Sequence, residues 1–272
     1  MKVGVVGHVE WCRFVRVEEL PRPGAIVHAT EFWEEVGGGG SVAAAELVRL
    51  NGEAFFVTAL GGDELGRRAR AELDRLGVLL RAEHRAGPQR IAFVHLDANG
   101  ERTITVIGDR LVPHAEDDLP WEELDRSDGI YFTGGDEAAL RSVRRRTRIL
   151  VATARVLPTL QLAGVELDAL VASGEDEGER YRPGDLSPQP RLVVSTAGAL
   201  GGWLQPGGPF RASPPPGEIE DAYGAGDSFA AALTFALAEG REPQDAVAFA
   251  AERGALALCR RGAHGNEVVS ES

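Results

Sequence analysis

Asp221-Ala222-Tyr223-Gly224-Ala225-Gly226-Asp227-Ser228-Phe229 is the stretch that decides how this chain is read. Three small residues in a row, Gly224 to Gly226, let the backbone turn sharply and come close to a ligand. An apolar run follows at once, so 226–239 reads as a helix with the aspartate in its first turn. The N–H groups at a helix start lack partners within the helix, and the peptide dipoles place partial positive charge there. Such a position can seat a phosphate. Asp227, beside it, can take a proton from an attacking hydroxyl. The same residues also suit a plain turn closed by an aspartate cap, and on their own they do not separate the two readings.

Around this stretch the chain alternates between two patterns. Short apolar runs at 2–6, 54–60, 129–133, 149–153, 169–172 and 192–196 are of strand type, while 41–50, 64–76, 137–146, 226–239 and 243–260 have helical character. This alternation predicts an α/β chain with a mainly parallel sheet covered by helices on both faces. Two regions fall outside it. Segment 15–33 mixes β-branched residues with Pro21, Pro23 and Gly24, as short strands joined by a turn. Segments 90–96 and 103–107 flank Asp97-Ala98-Asn99-Gly100, where Asn-Gly between β-prone runs marks a hairpin. Gly37 to Gly40 reads as a flexible hinge, and 206–216 as a loop rich in proline and glycine.

Composition narrows the functions available. The 272 residues are 43% hydrophobic and 26% charged, with a formal net charge of −13. Such an acidic chain offers no broad basic face for nucleic acid, and the arginines at 141–148 are expected to be a solvated helix face. Lys2 is the only lysine, which excludes a Walker-type lysine loop or a Schiff base in the body of the chain. Cys12 and Cys259 have no metal-ligand spacing and form no disulfide framework. No run approaches ~18 apolar residues, so no membrane span is expected. A cytoplasmic enzyme is the expectation.

The nine-residue stretch resembles the second signature of the ribokinase-like (PfkB) carbohydrate kinases, Asp-Thr-x-Gly-Ala-Gly-Asp. Gly37-Gly38, and Leu60-Gly61-Gly62-Asp63-Glu64-Leu65-Gly66 after the next helix, resemble the first signature. Thr196-Ala197-Gly198-Ala199-Leu200-Gly201 is similar to the family's nucleotide loop, and Arg260-Arg261-Gly262-Ala263 to its C-terminal turn. The matches stand in the family's order. The resemblance implies one ribokinase-like domain over 1–272, a three-layer sandwich with a small β lid from about 10–33 and 90–107. It implies ATP as phosphate donor, Asp227 as catalytic base, and Gly224, Ala225 and Gly226 as an anion hole. Thr196, Gly198 and Gly201 would line the ATP site. Asp221 and Gly262 match the places near which members often bind a monovalent cation such as K⁺. Lids of two subunits pack together in many members, which implies a homodimer.

Two places depart from the family pattern. The Asn-x-x-Glu motif that organises Mg²⁺ corresponds to Ser173-Gly174-Glu175-Asp176, so Asp176 and Glu175 become the metal candidates, with Glu177 one register slip away. In the acceptor pocket the usual aspartate is Cys12, flanked by His8, Glu10, Trp11 and Arg13. The asparagine after Gly37-Gly38 is Val42, and the intervening lysine is Gly39. Losing two polar sugar contacts argues against ribose itself, and Glu10 is the candidate to bind a hydroxyl instead. The implied function is a kinase acting on a small hydroxylated molecule, a sugar or sugar derivative. A nucleoside kinase is a second reading, since Trp11 and Phe14 can sandwich a base. A non-catalytic nucleotide- or sugar-binding protein is a third, against which the retained Asp227 argues.

Overall fold

The structure, a computed structural model, describes residues 1–265. In chain order the elements are β1 (Val3–Val6), β2 (Glu10–Arg16), β3 (Glu31–Gly37), α1 (Gly39–Asn51), β4 (Ala54–Gly61), α2 (Glu64–Arg75), β5 (Val78–Arg85), β6 (Ile91–Leu96) and β7 (Arg102–Ile107). There follow β8 (Ser127–Phe132), α3 (Glu137–Arg144), β9 (Thr147–Thr153), α4 (Leu157–Ala163), β10 (Ala169–Ser173), β11 (Val193–Thr196), β12 (Gly202–Gln205), β13 (Gly208–Phe210), α5 (Ala225–Ala238) and α6 (Pro243–Ala257).

Nine strands form one sheet in the order β13-β12-β11-β10-β9-β8-β1-β4-β5. All neighbours are parallel except at β11–β12 and β12–β13. The short apolar runs become these strands because a parallel sheet is buried on both faces. One face packs on α1, α2, α5 and α6 through Val3, Val5, Leu47, Leu73, Phe229 and Leu233. The other packs on α3 and α4 through Val6, Ile130, Phe132, Leu140 and Leu160. Helix α5 is apolar nearly all round and largely buried. It lies so close to the sheet that a Cβ on Gly129 would come within 2.9 Å of Ala238 Cβ.

A second sheet of four strands, β3-β2-β6-β7, is built from the two regions that stand outside the alternation. The hairpin at 97–100 joins β6 to β7 as expected. Strand β3 runs on to Gly37, past the expected boundary at 33. Cys12, Phe14, Val42, Ala92, Val94 and Tyr223 make a small core that fixes this sheet to the start of α1 and to the 221–229 stretch.

Four expectations need correction. Gly37 to Gly40 is no hinge: Gly39 and Gly40 are the buried first residues of α1, and Gly40 N–H donates to His8 O at 3.2 Å. The 206–216 loop contains β13, and β5 has no counterpart among the runs read as strands. The arginines at 141–148 do face solvent in part, with Arg141, Arg145 and Arg148 exposed, but several also bond within the molecule and are not merely solvated. Arg144 donates to Asp168 at 2.6 Å, Arg141 to the Leu162 and Ala163 carbonyls, and Arg146 to Asp125.

Candidate active site

In a parallel sheet the carboxyl ends of the strands share one edge, and ligands bind there. Here the edge carries His8 after β1, Thr133 after β8, Thr153 at the end of β9, Ser173 at the end of β10 and Thr196 at the end of β11. Helix α5 points its amino end at it. Gly224 caps the helix with φ +76°, the left-handed conformation in which a side chain is strained, and a Cβ there would lie 2.9 Å from Val42 Cγ1. At Gly226 the space is open: a Cβ would meet nothing within 4 Å. Gly226 is exposed, so the turn at the amino end of α5 reaches solvent, the kind of position at which a phosphate can be seated.

Asp227 stands in the first turn of α5 and is half-buried. Tyr131, at the end of β8, donates a long 3.4 Å hydrogen bond to its Oδ1. The backbone of Gly39 is pressed against the same carboxylate, where a Cβ would come 2.7 Å from Oδ1. Burial, and then the Glu179 carboxylate, raise the Asp227 carboxyl to about 6, against the opposing pull of Arg155 and Arg102. It is thus tuned toward neutral pH, as a general base should be.

The nucleotide-loop residues meet the metal candidates. Thr196 Oγ1 donates to Ala172 O at 3.3 Å, tying the loop to β10. Gly201, with φ +91°, is so tightly packed that a Cβ would sit 2.2 Å from Phe210 O. At Gly198 a Cβ would lie 3.0 Å from both carboxylate oxygens of Glu175, so this exposed glutamate borders the loop. Asp176 differs from the expectation. Its carboxylate already accepts from Arg155 at 2.6 Å and from Gly178 N–H at 2.8 Å. Burial works to raise this carboxyl, but those donors hold it below its ordinary value. Glu177 is exposed and pairs with Arg180. Among the described residues no three His, Cys, Asp or Glu side chains form a metal cage.

Asp221 and Gly262 do come together. Asp221 is fully buried, and its oxygens accept from Tyr223 N–H at 2.8 Å and Gly262 N–H at 2.7 Å. Beside them Glu35 accepts from Ala263 N–H at 2.8 Å and from Trp33 Nε1 at 3.1 Å. Burial lifts the Glu35 carboxyl to about 7, with Glu72 and Asp221 adding to the rise.

On the acceptor side the expected residues divide. Gly38 and His8 line the approach to Glu10: a Cβ on Gly38 would lie 2.9 Å from Glu10 N and 3.3 Å from His8 O. Cys12 and Val42 do not open onto it. Cys12 is fully enclosed, 3.1 Å from Tyr223 Oη, and that hydroxyl also accepts from Gly38 N–H at 2.9 Å. Gly37 is in the same knot, where a Cβ would strike Cys12 Sγ at 2.3 Å. Trp11 is buried under the Arg68 guanidinium at 4.3 Å, and Phe14 stacks on Trp33 at 4.8 Å. These aromatics are used in packing, which removes the feature that suggested a base sandwich. Sequence reasoning missed Tyr131, Arg90, Arg110, Arg155 and Glu179, single side chains from separate elements with no motif around them.

A model of the pfkB family carbohydrate kinases matches residues 1–158 and 166–268. The chain belongs to the PfkB family. Its curated relatives include an ATP-dependent ribose-1-phosphate kinase of Halopiger xanaduensis, 27% identical over 97% of this chain and 94% of that protein. A ribokinase of Bacillus subtilis is 26% identical over 96% and 94%. Among solved structures, a putative ribokinase from Agrobacterium tumefaciens superposes with a TM-score of 0.80 at 22% identity, covering 97% of this chain and 93% of that one. The ribokinase-like fold and a carbohydrate-kinase identity both follow, as the motif resemblance implies. Among the described residues no helix is long and apolar enough to cross a membrane.

Proposed function

We propose that this PfkB member transfers the γ-phosphate of ATP to a hydroxyl of a sugar or sugar derivative, with Asp227 as general base. The observation that carries the reading is Asp227 itself: a carboxyl lifted to about 6, in the first turn of α5, beside the open turn at Gly226. The acceptor hydroxyl gives its proton to Asp227 as its oxygen attacks the phosphorus. The N–H groups of Gly224, Ala225 and Gly226 stabilise the charge on the transferring group. Positioning and electrostatic stabilisation are most of what this chemistry asks of a protein. Thr196, Gly198 and Gly201 line the place for the nucleotide.

When bound, Mg²⁺ would supply charge neutralisation on the phosphate oxygens. Magnesium is commonly held by one or two carboxylates together with phosphates and waters. Glu175 fits that part best, because Asp176 and Glu179 are both engaged by Arg155. For K⁺, the buried Asp221 and the partly buried Glu35 beside it are the candidate carboxyl ligands at the C-terminal turn.

The four-stranded sheet reads as a lid that excludes water from the transfer. Its edge strand β7 is exposed along its whole length, with Ile104, Val106 and Ile107 on the surface and Phe32 exposed on β3. Pairing of two such lids would cover this surface in a homodimer. The chain would work in the cytoplasm as one domain, with Cys12 and Cys259 reduced.

The test is ADP release with Mg-ATP against sugars, sugar phosphates, sugar acids, polyols and nucleosides. Phosphorylated acceptor formed mole for mole with ADP supports the reading. Tight binding of nucleotide or sugar with no turnover on the whole panel would overturn it in favour of a binding protein.

A further inference from the structure

The acceptor side holds a charge arrangement that proton abstraction by Asp227 does not need. His8 follows β1, Glu10 opens β2, Arg90 precedes β6 and Arg110 lies beyond β7. Arg90 Nε stands 2.8 Å from Glu10 Oε1, and His8 Nε2 is 3.9 Å from the same oxygen. The three side chains are 14%, 10% and 6% exposed, respectively 90, 10 and 8. His8 Nδ1 is enclosed and makes no hydrogen bond of normal geometry. Arg110 is half-buried, and among the described residues no carboxylate forms an ion pair with it.

The balance of charge is one-sided. Glu10 is paired with Arg90, and among the described residues no carboxylate is within ion-pair distance of Arg110. Burial, and then Arg110 and Arg90, push the His8 imidazole well below its ordinary value, outweighing the Thr133 main chain, so the ring is neutral. Burial followed by repulsion from Arg90 lowers the Arg110 guanidinium, with Glu10 and Asp227 opposing. The backbone places Arg110 beside these groups. Gly108 lies against Arg90, where a Cβ would come 3.8 Å from its Cα, and Val112 packs on Gly134, whose own Cβ would lie 3.5 Å from His8 N, so Arg110 is carried on the short segment between Arg90 and His8. A guanidinium drawn partly out of water without a counter-ion is costly, and it is well shaped to grip a planar or tetrahedral oxyanion. A neutral imidazole adds one N–H donor.

We propose that the acceptor is a hydroxylated molecule carrying an anionic group, phosphate or carboxylate, held by Arg110 and Arg90 with a donor from His8. Glu10 is left to accept hydrogen bonds from its hydroxyls. This rests on the kinase reading and narrows its substrate. It also accounts for the missing polar contacts at Cys12 and Val42, because binding energy comes from the charged end of the acceptor.

The experiment compares kcat/KM with Mg-ATP for pentose and hexose phosphates, the matching sugar acids and the matching neutral sugars. The expected result is an advantage of about 100-fold for a charged acceptor over its neutral counterpart, the order expected from one or two charge-assisted hydrogen bonds at a partly exposed site. Arg110→Gln should shrink this ratio to below about 10-fold, chiefly through the KM of the charged acceptor, and Arg110→Lys should keep part of it. A preference for sugar phosphates names phosphate as the anion, and a preference for sugar acids names carboxylate. Equal or better use of neutral sugars, or a ratio that Arg110→Gln does not move, overturns the inference while leaving the kinase reading intact. No turnover on any acceptor overturns the kinase reading and the inference with it.

Discussion

The phosphate half of the site and its acceptor half are built from different materials. The phosphate half is backbone: Gly224 to Gly226 at the start of α5, and the Thr196 to Gly201 loop after β11. Its side chains are few, and Asp227 is the one proposed to act. The acceptor half is side chain: His8 and Glu10 from one segment, Arg90 and Arg110 from two others, beside a knot made by Cys12, Tyr223 and Gly38. Backbone sites depend on glycines at fixed places in a contiguous stretch, so they tolerate little change in sequence. Side-chain sites can be rebuilt one residue at a time. A chain can therefore keep one reaction while changing what it acts upon.

Several variants would break or sharpen this contrast. The largest effect is expected for Asp227→Asn, which should lower kcat by about 100- to 10,000-fold, the range attributed to a general base. Nucleotide affinity, followed by titration calorimetry with ATP, should be largely kept, because the turn that would hold the phosphates is unchanged. Gly39→Ala is a smaller intrusion on the same group. Its methyl would meet Asp227 Oδ1 at 2.7 Å and Thr133 Oγ1 at 3.1 Å. Steady-state kinetics should show kcat down by about 10-fold, short of the roughly 100-fold that a full 1 Å misplacement can cost.

Tyr223→Phe addresses the join between the halves. It leaves the buried Gly38 N–H without its acceptor at 2.9 Å and the Cys12 thiol without its partner. A loss of about 1–3 kcal/mol is expected from an orphaned buried donor, read as a lower Tm. The KM for the acceptor should rise more than that for ATP. Equal changes in both would mean that the knot supports the whole edge of the sheet and not the acceptor half.

The same contrast explains what was legible in the sequence. The parallel strands, α5 and the order of the motifs follow from apolar periodicity and from runs of small residues. Strand β5 was not legible, since Arg81, Glu83, His84 and Arg85 break its apolar pattern and it shows an alternating, partly exposed face. Gly37 to Gly40 looked flexible because four glycines in a row signal freedom. Packing against His8, Cys12, Asp227 and Phe56 makes them a fixed junction instead. In the site, Asp227 and its turn were readable because they are adjacent in the chain. Arg110 and Glu179 were not, because only the fold carries them to Asp227 from 117 and 48 residues away. Cys12 stood at a family substrate position, yet its thiol faces Tyr223, a partner that sequence spacing does not reveal.

The most direct measurement is the pH dependence of kcat/KM for the best acceptor, in the wild type and in Asp227→Asn. A base with its carboxyl at about 6 must be ionised to work. Activity should therefore be full above that pH and fall as pH drops through it, with the limb centred near 6. The residual activity of Asp227→Asn should lack that limb. A wild-type profile flat through this range, or the same limb persisting in Asp227→Asn, would contradict Asp227 as the base.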